Sequence, residues 1–112
     1  ILIESELIDV APGKFPDNFM EAVFDADLIK GNLSFRNFRN GDRFRPLGMR
    51  GHKKVKDLFI ANQLPLRIRR ALPLLVMDNE ILWIPGYGRS DFARIGSRTK
   101  ISLHLKAIPQ PK

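Results

Sequence analysis

The sequence predicts an α+β domain, with several short strands and two short helices. Three observations predict it. Segments of alternating apolar and polar residues lie toward both ends of the chain; the apolar spacing turns helical only between residues 51 and 72; and Asp78-Asn79 separates two apolar runs in the manner of a two-residue hairpin loop. A chain of 112 residues, 44% hydrophobic with eight Phe, is about one domain with a single core.

Residues 1–10 are apolar and acidic with partial alternation, which suits an edge strand, and residues 11–18 (APGKFPDN) are turn-rich. Residues 21–29 (EAVFDADLI) alternate as a strand, with Val23 on one face and Phe24 on the other. A turn at Gly31-Asn32 then leads into a second strand over 33–38, and the shortest connection pairs the two as a hairpin. Asn40-Gly41-Asp42 is a turn, after which Phe44 and Leu47 serve as anchors of a loop. Val55, Leu58, Phe59 and Asn62 fall at i, i+3, i+4 and i+7, predicting a helix from about Gly51 that Pro65 ends. Pro65 also opens a second helix over 66–72, stopped by Pro73, and its arginines Arg67, Arg69 and Arg70 cannot all be buried. Strands over 74–77 and 80–84 make the Asp78-Asn79 hairpin. A loop comes next over 87–96, then a strand over 99–105 with Ile101, Leu103 and Leu105 on one face, and a tail over 108–112.

Charge is concentrated in one place. Residues 36–56 carry eight Lys and Arg (Arg36, Arg39, Arg43, Arg45, Arg50, Lys53, Lys54, Lys56) against Asp42 alone, a net of +7, which equals the net charge of the whole chain. A local cation cluster favours a polyanionic partner, because neutralising phosphates releases condensed counterions; a solvated face is the plainer alternative. The absence of cysteine excludes disulfides and thiolate metal sites and is compatible with a cytoplasmic location, while His52 and His104 have no ligand-spaced partners. No run of residues approaches the length needed to span a bilayer, so no membrane is expected. The chain opens on Ile1 rather than Met, which reads as a piece of a longer protein or a processed product.

Lysines at a helix start oppose the macrodipole, at about 0.3–1 kcal/mol each. Gly51, Lys53 and Lys54 therefore fit either a phosphate site or a plain cap with solvated lysines, and the local pattern does not choose between them. Arg43 and Arg45, on the face opposite Phe44, suit bidentate phosphate contacts. Asp42 fits a turn cap or an ion-pair partner for Arg43 better than an acid/base catalyst, and Trp83 in ILWIP fits core better than a base-stacking platform. There is no phosphate-binding glycine loop followed by Lys-Ser/Thr, no nucleophilic Cys, and no pair of carboxylates beside a base.

The run GDRFRPLGMRGHKKVKDLF, from Gly41 to Phe59, with Pro65 and Arg69, then Pro73-Leu74-Leu75, then Trp83-Ile84-Pro85-Gly86, resembles the C-terminal region of tRNA(Ile)-lysidine synthases, in order and spacing over roughly residues 21–105. Leu58 stands where that family often has Phe. The resemblance implies mixed β layers of β/β/α type, like a module of the phenylalanyl-tRNA synthetase β chain. It implies residues 21–106 as a tRNA-binding domain, residues 1–20 as linker or edge strand of a preceding region, and 107–112 as tail. It further implies a parent enzyme whose N-terminal domain uses ATP to join lysine to the wobble cytidine of a minor tRNA(Ile). This fragment would then hold the acceptor stem without a cofactor or catalysis of its own. The eleven Lys and Arg of residues 36–56 and 66–72 named above are the candidate RNA contacts. A module docking on the catalytic domain or on a second subunit, with a homodimer among the possibilities, is the competing reading.

Overall fold

The computed structural model describes residues 2–8 and 18–109. The turn-rich stretch expected over 11–18 falls outside these except for Asn18, as does the 110–112 end of the expected tail. The chain divides into two compact units, one of residues up to Lys30 with those from Ala93 onward, the other Gly31–Phe92.

The first unit is an antiparallel sheet of β1 (Leu2–Ile8), β2 (Glu21–Asp25) and β9 (Ser102–Ile108), with β9 in the middle. Alternation along β9 puts Leu103, Leu105 and Ala107 on one face, where their neighbours in register are Ala22 and Phe24; of these, Ala22, Phe24, Leu105 and Ala107 are buried. The opposite face carries Glu4, Glu6, Glu21, His104 and Lys106, with His104 Nε2 3.1 Å from Glu21 Oε1.

Two expectations are corrected here. β2 stops at Asp25, because the Asp25 carboxylate accepts the Asp27 N–H (3.1 Å) and turns the chain into a 3-10 turn, Ala26–Leu28. Nor do the segments on either side of Gly31-Asn32 form a hairpin: β2 pairs with β9, and β3 (Leu33–Arg36) pairs with β6 (Leu74–Met77). Gly31 has a different reason for being glycine, since a Cβ there would meet the Asp78 side chain and come within 2.8 Å of Met77 Cγ.

The second unit holds a four-stranded antiparallel sheet in which β7 (Glu80–Ile84) and β8 (Gly88–Arg89) extend the β3–β6 pair, in the order β3-β6-β7-β8. β6 and β7 form the expected hairpin; Asp78 takes the left-handed φ of 54° that its turn requires. Ile81 to Pro85 are all buried, the continuous apolar run of a strand covered on both faces, and Trp83 is core as its context predicts.

Helices α1 (Val55–Ala61) and α2 (Leu66–Ala71) come after a two-stranded ribbon, β4 (Arg43–Phe44) with β5 (Lys53–Lys54). Val55 and Phe59, one turn apart on α1, enter a core of Phe44, Leu64, Leu72, Leu74, Val76, Ile81 and Ile84, with Phe38 edge-on to Phe59 at 5.4 Å. The helix begins at Val55, the first residue of its apolar spacing, and not at Gly51 as expected, because Lys53 and Lys54 pair with β4 and the Val55 N–H donates to Asp42 O (3.0 Å). It also ends before Pro65. Asn62 is exposed, Gln63 is left-handed (φ 54°), and the Leu64 N–H returns to Phe59 O (3.0 Å), a helix stop that needs no proline. None of α2's residues is buried.

Phe59→Ala removes the ring that α1 inserts into this core and is expected to cost about 3–5 kcal/mol. Urea unfolding should show the loss as a lower midpoint with an unchanged slope.

Candidate nucleic-acid interface

The cation-rich stretch is built on its single acid. Gly41 supplies a left-handed turn (φ 91°) that brings Asp42 back beneath β3. There its carboxylate takes both arms of the Arg36 fork, Nη1 to Oδ2 at 2.8 Å and Nη2 to Oδ1 at 3.0 Å, and also accepts the Arg39 N–H at 2.8 Å. The side chains are 21% and 11% exposed, so this is a half-sheltered, charge-assisted pair. Asp42 therefore orients Arg36, not Arg43 as the sequence suggested. Burial pushes the Asp42 carboxyl upward, but the hydrogen bonds from Arg36 and the Arg39 N–H, with the charges of both arginines, outweigh it and hold the group below its usual value. The same hydrogen bond raises Arg36.

The ribbon places Arg43 directly opposite Lys54 and Phe44 opposite Lys53. Phe44 is the buried anchor predicted for it, at 2% exposure, and holds the ribbon down while Arg43 and Lys54 point to solvent. Leu47 is not an anchor: its side chain is 44% exposed. The loop is held by its backbone instead. Leu47 N–H donates to Arg89 O (3.1 Å), the Gly48 N–H to Asp91 Oδ1 (2.9 Å) and the Asp91 N–H to Arg45 O (2.8 Å). Asp91 also faces Arg45 Nη2 at 3.4 Å. Beyond these clamps Met49, Arg50, Gly51 and His52 are exposed.

The candidate cations thus separate into two groups. Arg36 is committed to Asp42, Arg45 leans on Asp91, and Arg69 donates from Nε to Leu64 O (2.7 Å), tying α2 to the end of α1. Arg39, Arg43, Arg50, Lys54, Lys56, Arg67 and Arg70 are exposed and Lys53 half-buried, and among the described residues none of these side chains has a hydrogen bond or ion pair. The ribbon register brings Arg43, Lys53 and Lys54 together, whereas Arg67 and Arg70 belong to α2. Lys53 and Lys54 are strand residues rather than the first turn of α1, and the first helical N–H is taken by Asp42 O. Sequence reasoning missed Asp91, which lies 43 residues from the glycine it clamps and carries no local signal.

A carboxyl whose folded pKa is depressed stabilises the fold fully above its unfolded value, ordinarily 3.8, and loses that contribution as pH falls through the lower folded value. Asp42→Asn is expected to cost about 2 kcal/mol at neutral pH, where the charge-assisted bonds are intact, with the gap to the parent chain closing on acidification below that range. Urea midpoints across pH 7 to about 2 measure it.

Residues 33–105 match the family described as the TilS substrate C-terminal domain. A tRNA(Ile)-lysidine synthase of Clostridium tetani is 47% identical over 83 residues, 74% of this chain and 18% of that protein. One from Geobacter sulfurreducens is 38% identical over 105 residues, 89% of this chain and 22% of the relative. Among solved structures, a crystal structure of a TilS C-terminal domain superposes with a TM-score of 0.85 at 30% identity, over 96% of this chain and 85% of that one. An N-terminal fragment of the phenylalanyl-tRNA synthetase β-subunit from Pyrococcus horikoshii aligns with a TM-score of 0.63 at 19% identity, over 78% and 28% of the two chains. That is a likeness of fold, and it is the one the resemblance led us to expect. The chain spans about a fifth of the length of these curated relatives. With its short helices, its several antiparallel sheets and a family match over most of the second unit and on into β9, the chain belongs to the C-terminal domain family of tRNA(Ile)-lysidine synthases.

Proposed function

We propose that this domain binds tRNA and holds the acceptor stem of tRNA(Ile) while lysine is joined to the wobble cytidine by the catalytic part of a longer synthase. The observation that carries this reading is the cross-strand placement of Arg43 against Lys54, with Lys53, Arg39, Arg50 and Lys56 nearby in sequence and their side chains outside any hydrogen bond or ion pair among the described residues. Like charges directly opposite on an antiparallel ribbon are destabilising. A bridging phosphate turns that repulsion into attraction, and the committed Arg36–Asp42 pair keeps the ribbon's approach fixed while it does so. An A-form stem offers a rail of phosphates and 2′-hydroxyls over a shallow minor groove, so a rigid basic surface selects shape more than base identity. ATP and the ligation chemistry belong, in this reading, to the catalytic domain, which also supplies the domain's protein partner.

The test is binding of this chain to an acceptor-stem minihelix across a salt series. Contact with four or five phosphates gives a slope of log K against log salt of roughly −3 to −4, and Lys53→Ala/Lys54→Ala should weaken binding and flatten the slope by about 1 to 2. Affinity that ignores both salt and the double variant would leave a protein-docking role in its place.

A further inference from the structure

The chain contains six asparagines, and only Asn40 is followed by glycine. The backbone nitrogen after an asparagine can attack the side-chain amide carbon. Glycine leaves that nitrogen unshielded, whereas the Phe, Leu, Gln and Glu residues that follow the other five screen it. Asn40 and Gly41 are both exposed, a Cβ at Gly41 would meet nothing within 4 Å, and among the described residues the Asn40 side chain has no hydrogen bond. Asn37 and Asn62, by contrast, donate from Nδ2 to the carbonyls of Leu72 (3.5 Å) and Leu58 (2.8 Å).

The fold works against this attack. Asp42 N–H donates to Arg39 O (3.1 Å), closing a four-residue turn with Asn40 and Gly41 at its centre, and of these two only Gly41 has a positive φ, 91°. That is a type II turn, in which ψ of the first central residue is about +120°. The Gly41 nitrogen is then rotated about 120° away from Asn40 Cβ, whereas a five-membered imide ring needs the two eclipsed. The turn is held by the Asp42 carboxylate, which takes both arms of the Arg36 fork and the Arg39 N–H. Attack therefore waits on local opening of this clamp.

We propose that Asn40-Gly41 is a deamidation site gated by the Asp42 clamp. When the turn opens, the Gly41 nitrogen forms a bond to Asn40 Cγ and the Cγ–Nδ2 bond breaks, with a proton passing through solvent from the first nitrogen to the second as ammonia leaves. Water then opens the imide at either carbonyl, leaving aspartate or isoaspartate at position 40. Nothing is oxidised or reduced, and water is the only co-reactant. Arg39 and Arg43 favour the step once the turn is open, because neighbouring positive charge stabilises the nitrogen as an anion. The product carries a new carboxylate, which lowers the net charge of residues 36–56 from +7 to +6. In the isoaspartate form the main chain also runs through an additional methylene. The Arg39 carbonyl and the Asp42 N–H then no longer close a four-residue turn, and the clamp that delayed the reaction is loosened by it. The chemistry is that of the turn alone, so it stands or falls separately from RNA binding.

The reaction is followed on the whole chain in mildly alkaline buffer, as a loss of cation-exchange retention and as isoaspartate mapped to position 40 by peptide mass analysis. The contribution expected of the clamp converts to roughly a 30-fold difference in rate between the chain unfolded in urea and the folded chain. Asp42→Asn, still folded by circular dichroism, should recover most of that difference. Arg36→Gln, which removes the fork and spares the carboxylate, should act in the same direction. Phe59→Ala weakens the core without touching the turn, so its folded rate should stay close to that of the parent chain. Equal rates in the folded and unfolded chains, modification that falls on another asparagine, folded Asp42→Asn and Arg36→Gln chains no faster than the parent, or a Phe59→Ala chain as fast as Asp42→Asn each overturn the proposal.

Discussion

The carboxylate of Asp42 is the contact on which the cation-rich surface of the second unit depends. It is the single acid among the eight cations of residues 36–56, and it neutralises one of them, Arg36. By taking the Arg36 fork it ties the end of β3 to the start of β4, and by accepting the Arg39 N–H it closes the turn between them. Its own carbonyl then receives the first N–H of α1. One residue thereby sets where a strand ends, where a ribbon begins and where a helix starts, and the remaining cations are arranged around it rather than among themselves.

Much of this is legible in the sequence, for reasons that particular residues make clear. The β6–β7 hairpin is readable because its signal is local: two apolar runs and an Asp78-Asn79 loop. Phe59 and Trp83 are readable as core because bulky apolar residues at the right period have little else to do. What fails depends on distance in sequence. β2 and β3 look like neighbours until Ser102–Ile108, some eighty residues on, offers β2 a better partner. The start of α1 is misplaced because nothing local separates Lys53 and Lys54 from the helical spacing that begins at Val55, and only their pairing with Arg43 and Phe44 shows them to be strand.

The candidate site is legible as a composition and not as an arrangement. Counting charges finds all eleven cations but cannot say that Arg36, Arg45 and Arg69 are held by Asp42, Asp91 and the Leu64 carbonyl. Those three shape the surface; Arg39, Arg43, Arg50, Lys53, Lys54, Lys56, Arg67 and Arg70 present charge on it. A family resemblance inherits the same ambiguity, since an arginine kept for a backbone carbonyl and one kept for a phosphate look alike in a row of letters.

Helix α2 is attached without being embedded. None of its residues is buried; the Pro65 carbonyl, which accepts from Ile68 and Arg69, closes its own first turn, and the Arg69 side chain ties it to the Leu64 carbonyl. Core packing therefore places almost no demand on the identity of its other residues. Arg67 and Arg70 can be exchanged, or their charges reversed, with little penalty in folding, so the surface chemistry of this helix can change while the sheet of its own unit stays as it is.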